Sequence, residues 1–321
     1  MQIALAIFQY VILLMCLAMW AYRLLAKRRT GELLSLRQHD VSPIGGVDIF
    51  ATVMIWFVMS GLAFHFVPIV RGLKNFIGEE ANPAAMLEFT GWIMLFQLAT
   101  SFFAAAFFLL RHRRVTWLGQ SRTLARDLLI GFVAALMLIP LVMLIQLVVT
   151  QLIPYTHPTI DSLKENFPGA TAIWASIAAV GVAPLTEEFF FRGLIQGWLQ
   201  RTFDYDEPKE KWVVGGKVTP NSNRETPNEL PFQKQYRFWA PIFITSVLFA
   251  AVHAGQGPAP IPLFVLAIGL GYLFRKTGSF IPCVIVHVIL NSLSLTLLTL
   301  GIMYPELMPV EAEPAGAILF W

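Results

Sequence analysis

The sequence predicts an all-α, polytopic membrane protein, and three observations carry that prediction. Of the 321 residues, 56% are apolar and only 13% are charged, whereas soluble domains carry about 25% charged residues. Apolar runs recur at lengths near the roughly 20 residues that a helix needs to cross hydrocarbon. Basic residues then segregate into alternate connecting segments, the pattern that orients a membrane protein. A soluble enzyme, a disordered chain and a nucleic-acid-binding domain all fit poorly. The net charge of +3 is too small to call for a polyanionic partner, so no nucleic acid is expected and the lipid bilayer is.

Eight runs are read along the chain. The first, 2–25, lacks a basic segment before it and carries Lys27, Arg28 and Arg29 after it, so it reads as a retained span rather than a cleaved leader. The next four, at 48–70, 87–110, 127–153 and 171–199, are each long enough to cross. The sixth, 239–257, is followed by Pro258, Pro260 and Pro262, which predict a tight turn or a broken helix before the short seventh run, 261–274. The eighth is 280–300. This divides the chain into membrane helices over 1–170 (about four spans), a core over 171–300 interrupted by a polar segment at 200–238, and a tail over 301–321. Within that segment, residues 204–235 are acidic, basic and Gly/Pro/Asn-rich, consistent with a solvated loop and a small hairpin around Gly215 and Gly216. Cys16 and Cys283 both lie in apolar stretches, which predicts neither a disulfide framework nor a thiolate metal site.

With the N-terminus outside and eight crossings, segments 23–47, 111–126, 200–238 and 275–279 face inward and hold 19 basic residues. The outward segments hold only Arg71, Lys74 and Lys164. The expected location is a bacterial plasma membrane, since no organelle-targeting segment is visible.

Charges near a bilayer centre cost about 2.5–3.5 kcal/mol each on insertion scales, so the polar residues of the last spans need a reason. In the fifth run, Glu187 and Glu188 precede Arg192 in Glu-Glu-Phe-Phe-Phe-Arg. Glu188 and Arg192 are four apart and share a helix face, which suits an ion pair. Glu187 is turned about 100° away, so the same guanidinium does not easily serve both; such a carboxylate suits a general base or acid. In the sixth run, Phe249 precedes His253 by four residues. A lone histidine among small apolar residues is commonly a packing residue, the reading given to His65 in the second run. In the eighth run, His287 and Asn291 project from one face and can bind a shared carbonyl oxygen or water, or simply bond neighbouring helices. Together, a carboxylate, two imidazoles and an amide can activate water against a peptide bond and stabilise the resulting oxyanion.

These three motifs, in this order on three spans, resemble those of the CAAX-processing and bacteriocin-processing intramembrane proteases, which include the type II CAAX prenyl proteases. The resemblance covers roughly residues 171–300. It implies an eight-span helical core around a water-accessible cavity opening toward the cytoplasm, and cleavage of membrane-associated or lipidated peptides. It further implies Glu187 as the base, with His253 sharing the water and His287 and Asn291 forming the oxyanion site. Glu188, Arg192 and Phe249 would support that geometry.

The cofactor question stays open at this point. Glu187, His253 and His287 could supply zinc ligands at an open site, but the zinc-protease helix motif is absent, and a metal-independent glutamate mechanism is favoured. Two other readings compete: an ion- or proton-coupled transporter, which would more often show paired broken-helix repeats, and a catalytically silent scaffold of the same fold, which would be expected to lose motif residues.

Overall fold

The computed structural model describes residues 2–30, 34, 44–72, 82–112, 124–153, 158–204 and 231–304. Among these there are helices and turns but no strands. The helices are α1 (Gln2–Thr30), α2 (Gly46–Arg71), α3 (Pro83–His112), α4 (Leu124–Leu152), the short α5 (Pro158–Asn166), α6 (Ala170–Asp204), α7 (Pro231–Val252), α8 (Pro260–Thr277) and α9 (Ile281–Met303). The protein is thus an all-α, polytopic membrane protein, as its composition predicts.

Six helices among the described residues are long and apolar enough to cross a bilayer: α2, α3, α4, α6, α7 and α9. The expected count of eight would need α1 and α8 to cross as well. The hairpin expected around Gly215 and Gly216 and the 301–321 tail beyond Tyr304 lie outside the described residues.

The prolines between the sixth and seventh runs act as the sequence suggests. Helix α7 stops at Val252, a turn runs through Gly257 in the left-handed region (φ 58°), and α8 restarts with Pro260 at its first positions. Proline is tolerated there because the first helical N–H groups have no intrahelical partner. The sixth run therefore ends earlier than 257, and His253 occupies the turn immediately after the helix.

The core lies where α4, α6, α7, α8 and α9 meet, around buried Ile139, Phe191, Phe249, Leu266 and Leu290. Small residues allow the close approaches. A Cβ on Gly131 of α4 would stand 2.8 Å from Ile285 and 3.0 Å from the Pro282 carbonyl of α9. On α8, a Cβ at Gly271 would meet Ile242 of α7 at 2.9 Å. Several buried hydroxyls return a hydrogen bond to their own helix, as Thr186 does to the Val182 carbonyl (2.9 Å) and Ser246 to Ile242 (2.7 Å), so these are neutralised without a partner helix. Both cysteines are free and buried.

Candidate active site

The site is built on α6, which is not a uniform helix. Two stretches wind with i→i+5 bonds, Ala178–Val182 and Phe189–Gln196, and a single α-helical segment, Ala183–Glu188, lies between them. Such π segments insert residues into the turn and re-aim the side chains that follow; they occur frequently at functional sites. Proline explains the first. The Ala183 N–H bonds the Ala178 carbonyl five residues back, and the next donor in that register would belong to Pro184, which has none. The Ala179 carbonyl is therefore left over, and Asn291 of α9 takes it: Nδ2 donates to Ala179 O at 2.9 Å. An apparently awkward proline thus fixes where the amide of α9 sits.

Glu188 is sealed in. Its Oε2 accepts from Arg192 Nε at 2.9 Å, and both side chains have no solvent exposure, which is the i,i+4 pair that the spacing predicts. Its Oε1 accepts from His287 Nδ1 at 3.0 Å, a link across 99 residues of sequence. The guanidinium of Arg192 lies over the Phe249 ring, 5.5 Å from its centroid. Arg192, Glu188 and His287 thus form one buried chain of charge-assisted contacts, and such a chain holds its members in fixed orientation.

Glu187 has a different environment. Its side chain is 23% exposed and makes no bond to Arg192; its Oε2 faces His287 Nε2 at 3.9 Å, too long for a hydrogen bond. Both of those atoms are buried and without a hydrogen-bond partner. With Nδ1–H committed to Glu188, Nε2 is the nitrogen of His287 that addresses Glu187.

His253 completes the group from the turn after α7. Its Nδ1–H donates to the Phe249 carbonyl at 2.7 Å, because a carbonyl can only accept. In the neutral ring this leaves Nε2 as an acceptor. The rings of His253 and His287 both pack on Phe249, with centroids 4.9 and 6.0 Å away. Phe249 is fully buried and serves as the common wall.

The structure therefore brings Glu187, Glu188, Arg192, Phe249, His253 and His287 into one cluster, with Asn291 one turn along α9 from His287. His65 sits on an exposed face of α2 beside Phe66. Two further polar residues belong near the cluster. Gln196, fully buried at the end of the second π segment, donates from Nε2 to the Gly271 carbonyl of α8 at 2.8 Å. Ser294 follows Asn291 by three residues, buried and with no partner for its hydroxyl. The signal for both was visible as a polar residue inside an apolar run.

Each imidazole donates Nδ1–H to a protein oxygen, the arrangement that leaves Nε2 available to a water or a cation. Among the described residues no three His, Cys, Asp or Glu side chains are already grouped to hold a metal ion.

Residues 169–293 match the family model described as type II CAAX prenyl endopeptidase Rce1-like. The matched stretch contains α6 to most of α9 and every residue of the cluster, and it supports a CAAX-type intramembrane protease. No curated protein and no solved structure gives a significant match.

Proposed function

Proceeding from a segment that matches the type II CAAX prenyl endopeptidases, we propose that the chain is an intramembrane endopeptidase in which Glu187 activates water directly. One observation carries the reading: a partly exposed carboxylate and a fully buried imidazole aim unsatisfied atoms at each other across 3.9 Å. Buried polar groups in native proteins almost always have partners, and a water together with a substrate carbonyl would supply them here.

The chemistry balances within these residues. A water between Glu187 and His253 Nε2 gives one proton to Glu187 as its oxygen attacks the scissile carbonyl carbon. The carbonyl oxygen becomes the oxyanion, accepting from His287 in its protonated form through Nε2–H and from the N–H of Asn291 that Ala179 does not use. Glu187 then passes its proton to the leaving amine as the C–N bond breaks. Glu188 and Arg192 take no proton; they hold His287 in register.

The substrate class suggested by the matched family is a prenylated C-terminal peptide, held in a water-accessible cavity among the helices. The test is cleavage of a farnesylated CAAX peptide by the purified chain in detergent or nanodiscs. Glu187→Gln and His253→Ala should each lower kcat by about a thousandfold or more while the far-ultraviolet circular dichroism is retained. His287→Ala or Asn291→Ala should lower kcat by about a hundredfold with little change in KM, since oxyanion contacts strengthen in the transition state. Full turnover by Glu187→Gln would remove the proposed base. Metal analysis and a chelator titration on the same preparation test the metal-independent step, which predicts activity unchanged by chelation.

A further inference from the structure

Arg192 is the largest fully buried side chain among the described residues. Only its Nε is engaged, donating to Glu188 Oε2 at 2.9 Å. Nη1 and Nη2 carry the remaining four N–H groups, and both atoms are buried without a hydrogen-bond partner. A buried ion pair is stable only when the other protons of the cation are also satisfied. The Phe249 ring, 5.5 Å from Cζ, takes up part of the charge but is a weak acceptor.

Gln196, four residues on in the same π segment, has the opposite deficit. Its Nε2 donates to the Gly271 carbonyl at 2.8 Å, an assignment forced because a carbonyl only accepts. Oε1 is then the free end of the amide, an acceptor that is buried and has no partner. Arg192 and Gln196 thus hold complementary groups, donors on one and an acceptor on the other, and do not bond each other.

Helix α7 supplies the third side. Ile242, Ser246 and Phe249 recur at i, i+4 and i+7, which places them on one helix face. Phe249 meets Arg192. Ile242 lies where Gln196 does, since a Cβ on Gly271 would stand 2.9 Å from Ile242 and 3.2 Å from Gln196 Oε1. Ser246, fully buried between those two contacts, therefore faces the stretch of α6 from Arg192 to Gln196. Its hydroxyl hydrogen goes to the Ile242 carbonyl at 2.7 Å, so the hydroxyl presents lone pairs to its other neighbours.

The chemistry of these groups selects what binds among them. An anion would accept from the guanidinium but has no hydrogen to give Gln196 Oε1 or Ser246 Oγ. A cation would be repelled by Arg192, and an apolar group would satisfy neither side. Water accepts and donates at once. We infer that an internal water is bound between α6 and α7, accepting from Arg192 Nη1 and Nη2 and donating to Gln196 Oε1 and Ser246 Oγ. Buried waters typically make about three such bonds to groups that lack other partners. The water holds the guanidinium, the guanidinium holds Glu188, and Glu188 holds His287, so Gln196 and Ser246 are positioning residues for the oxyanion histidine. That last step rests on the proposed peptidase reading; the water site does not.

The test combines a crystal structure of the purified full chain, at a resolution that orders internal water, with turnover of a farnesylated CAAX peptide. An ordered water should lie within about 3.2 Å of an Arg192 Nη atom and of Gln196 Oε1. Ser246→Val, which puts a methyl group in its place, and Gln196→Leu should each remove that density and lower the melting temperature. Both should lower kcat about tenfold with KM little changed, the loss expected when a charged donor is left without its partner. Ser246→Ala is the milder change; it should weaken the density and lower kcat about threefold. A direct bond between Gln196 and Arg192, or no water between them, overturns the inference whatever the activity. Unchanged kcat in Gln196→Leu and Ser246→Val after the water is lost overturns the positioning role. A native chain that holds the water but leaves the peptide intact upholds the site and counts against the peptidase reading alone.

Discussion

Helices α2 and α9 are nearly indistinguishable by hydropathy, 2.0 against 2.1, yet 11% of the α2 window is buried inside the protein against 44% of the α9 window. Phe50, Phe57, Ile69 and Val70 of α2 face outward, while Val286, His287, Leu290 and Asn291 of α9 are enclosed. Hydropathy reports only that a segment prefers lipid to water; it does not say whether lipid or protein surrounds it. His287 and Asn291 of α9 bond groups on α6, the Glu188 carboxylate and the Ala179 carbonyl, whereas His65 of α2 stays on an exposed face. Where α9 carries His287 and Asn291, other helices must close around them, because hydrocarbon offers no hydrogen bonds. The matched segment 169–293 coincides with that enclosed part, so the site and the tightest packing share one set of helices.

Two arginines give the contrast its largest expected consequence. Arg192 meets Glu188 at 2.9 Å with both side chains fully buried, and Arg71 of α2 meets Glu88 of α3 at 2.8 Å with exposures of 52% and 18%. Their geometry is alike and their surroundings are not. Arg192→Ala leaves a buried carboxylate without its cation and should cost about 3–5 kcal/mol. Arg71→Ala breaks a pair that water already competes for and should cost less than about 1 kcal/mol. Thermal unfolding in one detergent measures both, and equal losses would erase the distinction between the two halves.

A medium effect isolates the proline. Asn291→Leu strands the Ala179 carbonyl and should destabilise by about 1–3 kcal/mol. Pro184→Ala restores an N–H in the register where that carbonyl lacks one, so Asn291→Leu should cost less in the Pro184→Ala background. A double-mutant cycle reads the coupling directly. Additive losses would mean that Asn291 does not compensate for the proline. Turnover in the same variants separates structure from chemistry: Pro184→Ala should lower kcat even where it is stable, because it removes the reason for the π segment before Glu187.

Much of this was legible in the sequence. Composition gave the membrane, the three motifs gave six of the clustered residues and Asn291, and the four-residue spacing of Glu188 and Arg192 gave their pair. What could not be read were contacts that depend on which helices are neighbours. Glu188 to His287 spans 99 positions, Asn291 to Ala179 spans 112, and Gln196 to Gly271 spans 75. Periodicity along one helix carries no information about them. The π segments were hidden for a related reason: Pro184 announces a missing donor but not which side chain answers it. The apolar run 239–257 extends past His253, whereas α7 ends at Val252; the three prolines beyond it signal a helix stop nearby but not its position.

The smallest expected effect separates the halves by a single methyl group. Gly61 on α2 has no atom within 4 Å of where a Cβ would lie, whereas Gly131 on α4 faces Ile285 at 2.8 Å and the Pro282 carbonyl at 3.0 Å. Gly61→Ala adds a methyl to a lipid-facing surface and removes a flexible backbone position, so it should be neutral or stabilise by up to about 1 kcal/mol. Gly131→Ala must push α4 away from α9, one of whose obstacles is backbone that cannot rotate aside, and should cost about 1–3 kcal/mol. Because α9 carries His287 and Asn291, that displacement should also lower peptide turnover, while Gly61→Ala leaves turnover unchanged. Matching melting temperatures for the two variants would mean that α4 and α9 are held less closely than their packed glycine contact requires, and the enclosed half would lose its claim to be the more tightly specified one.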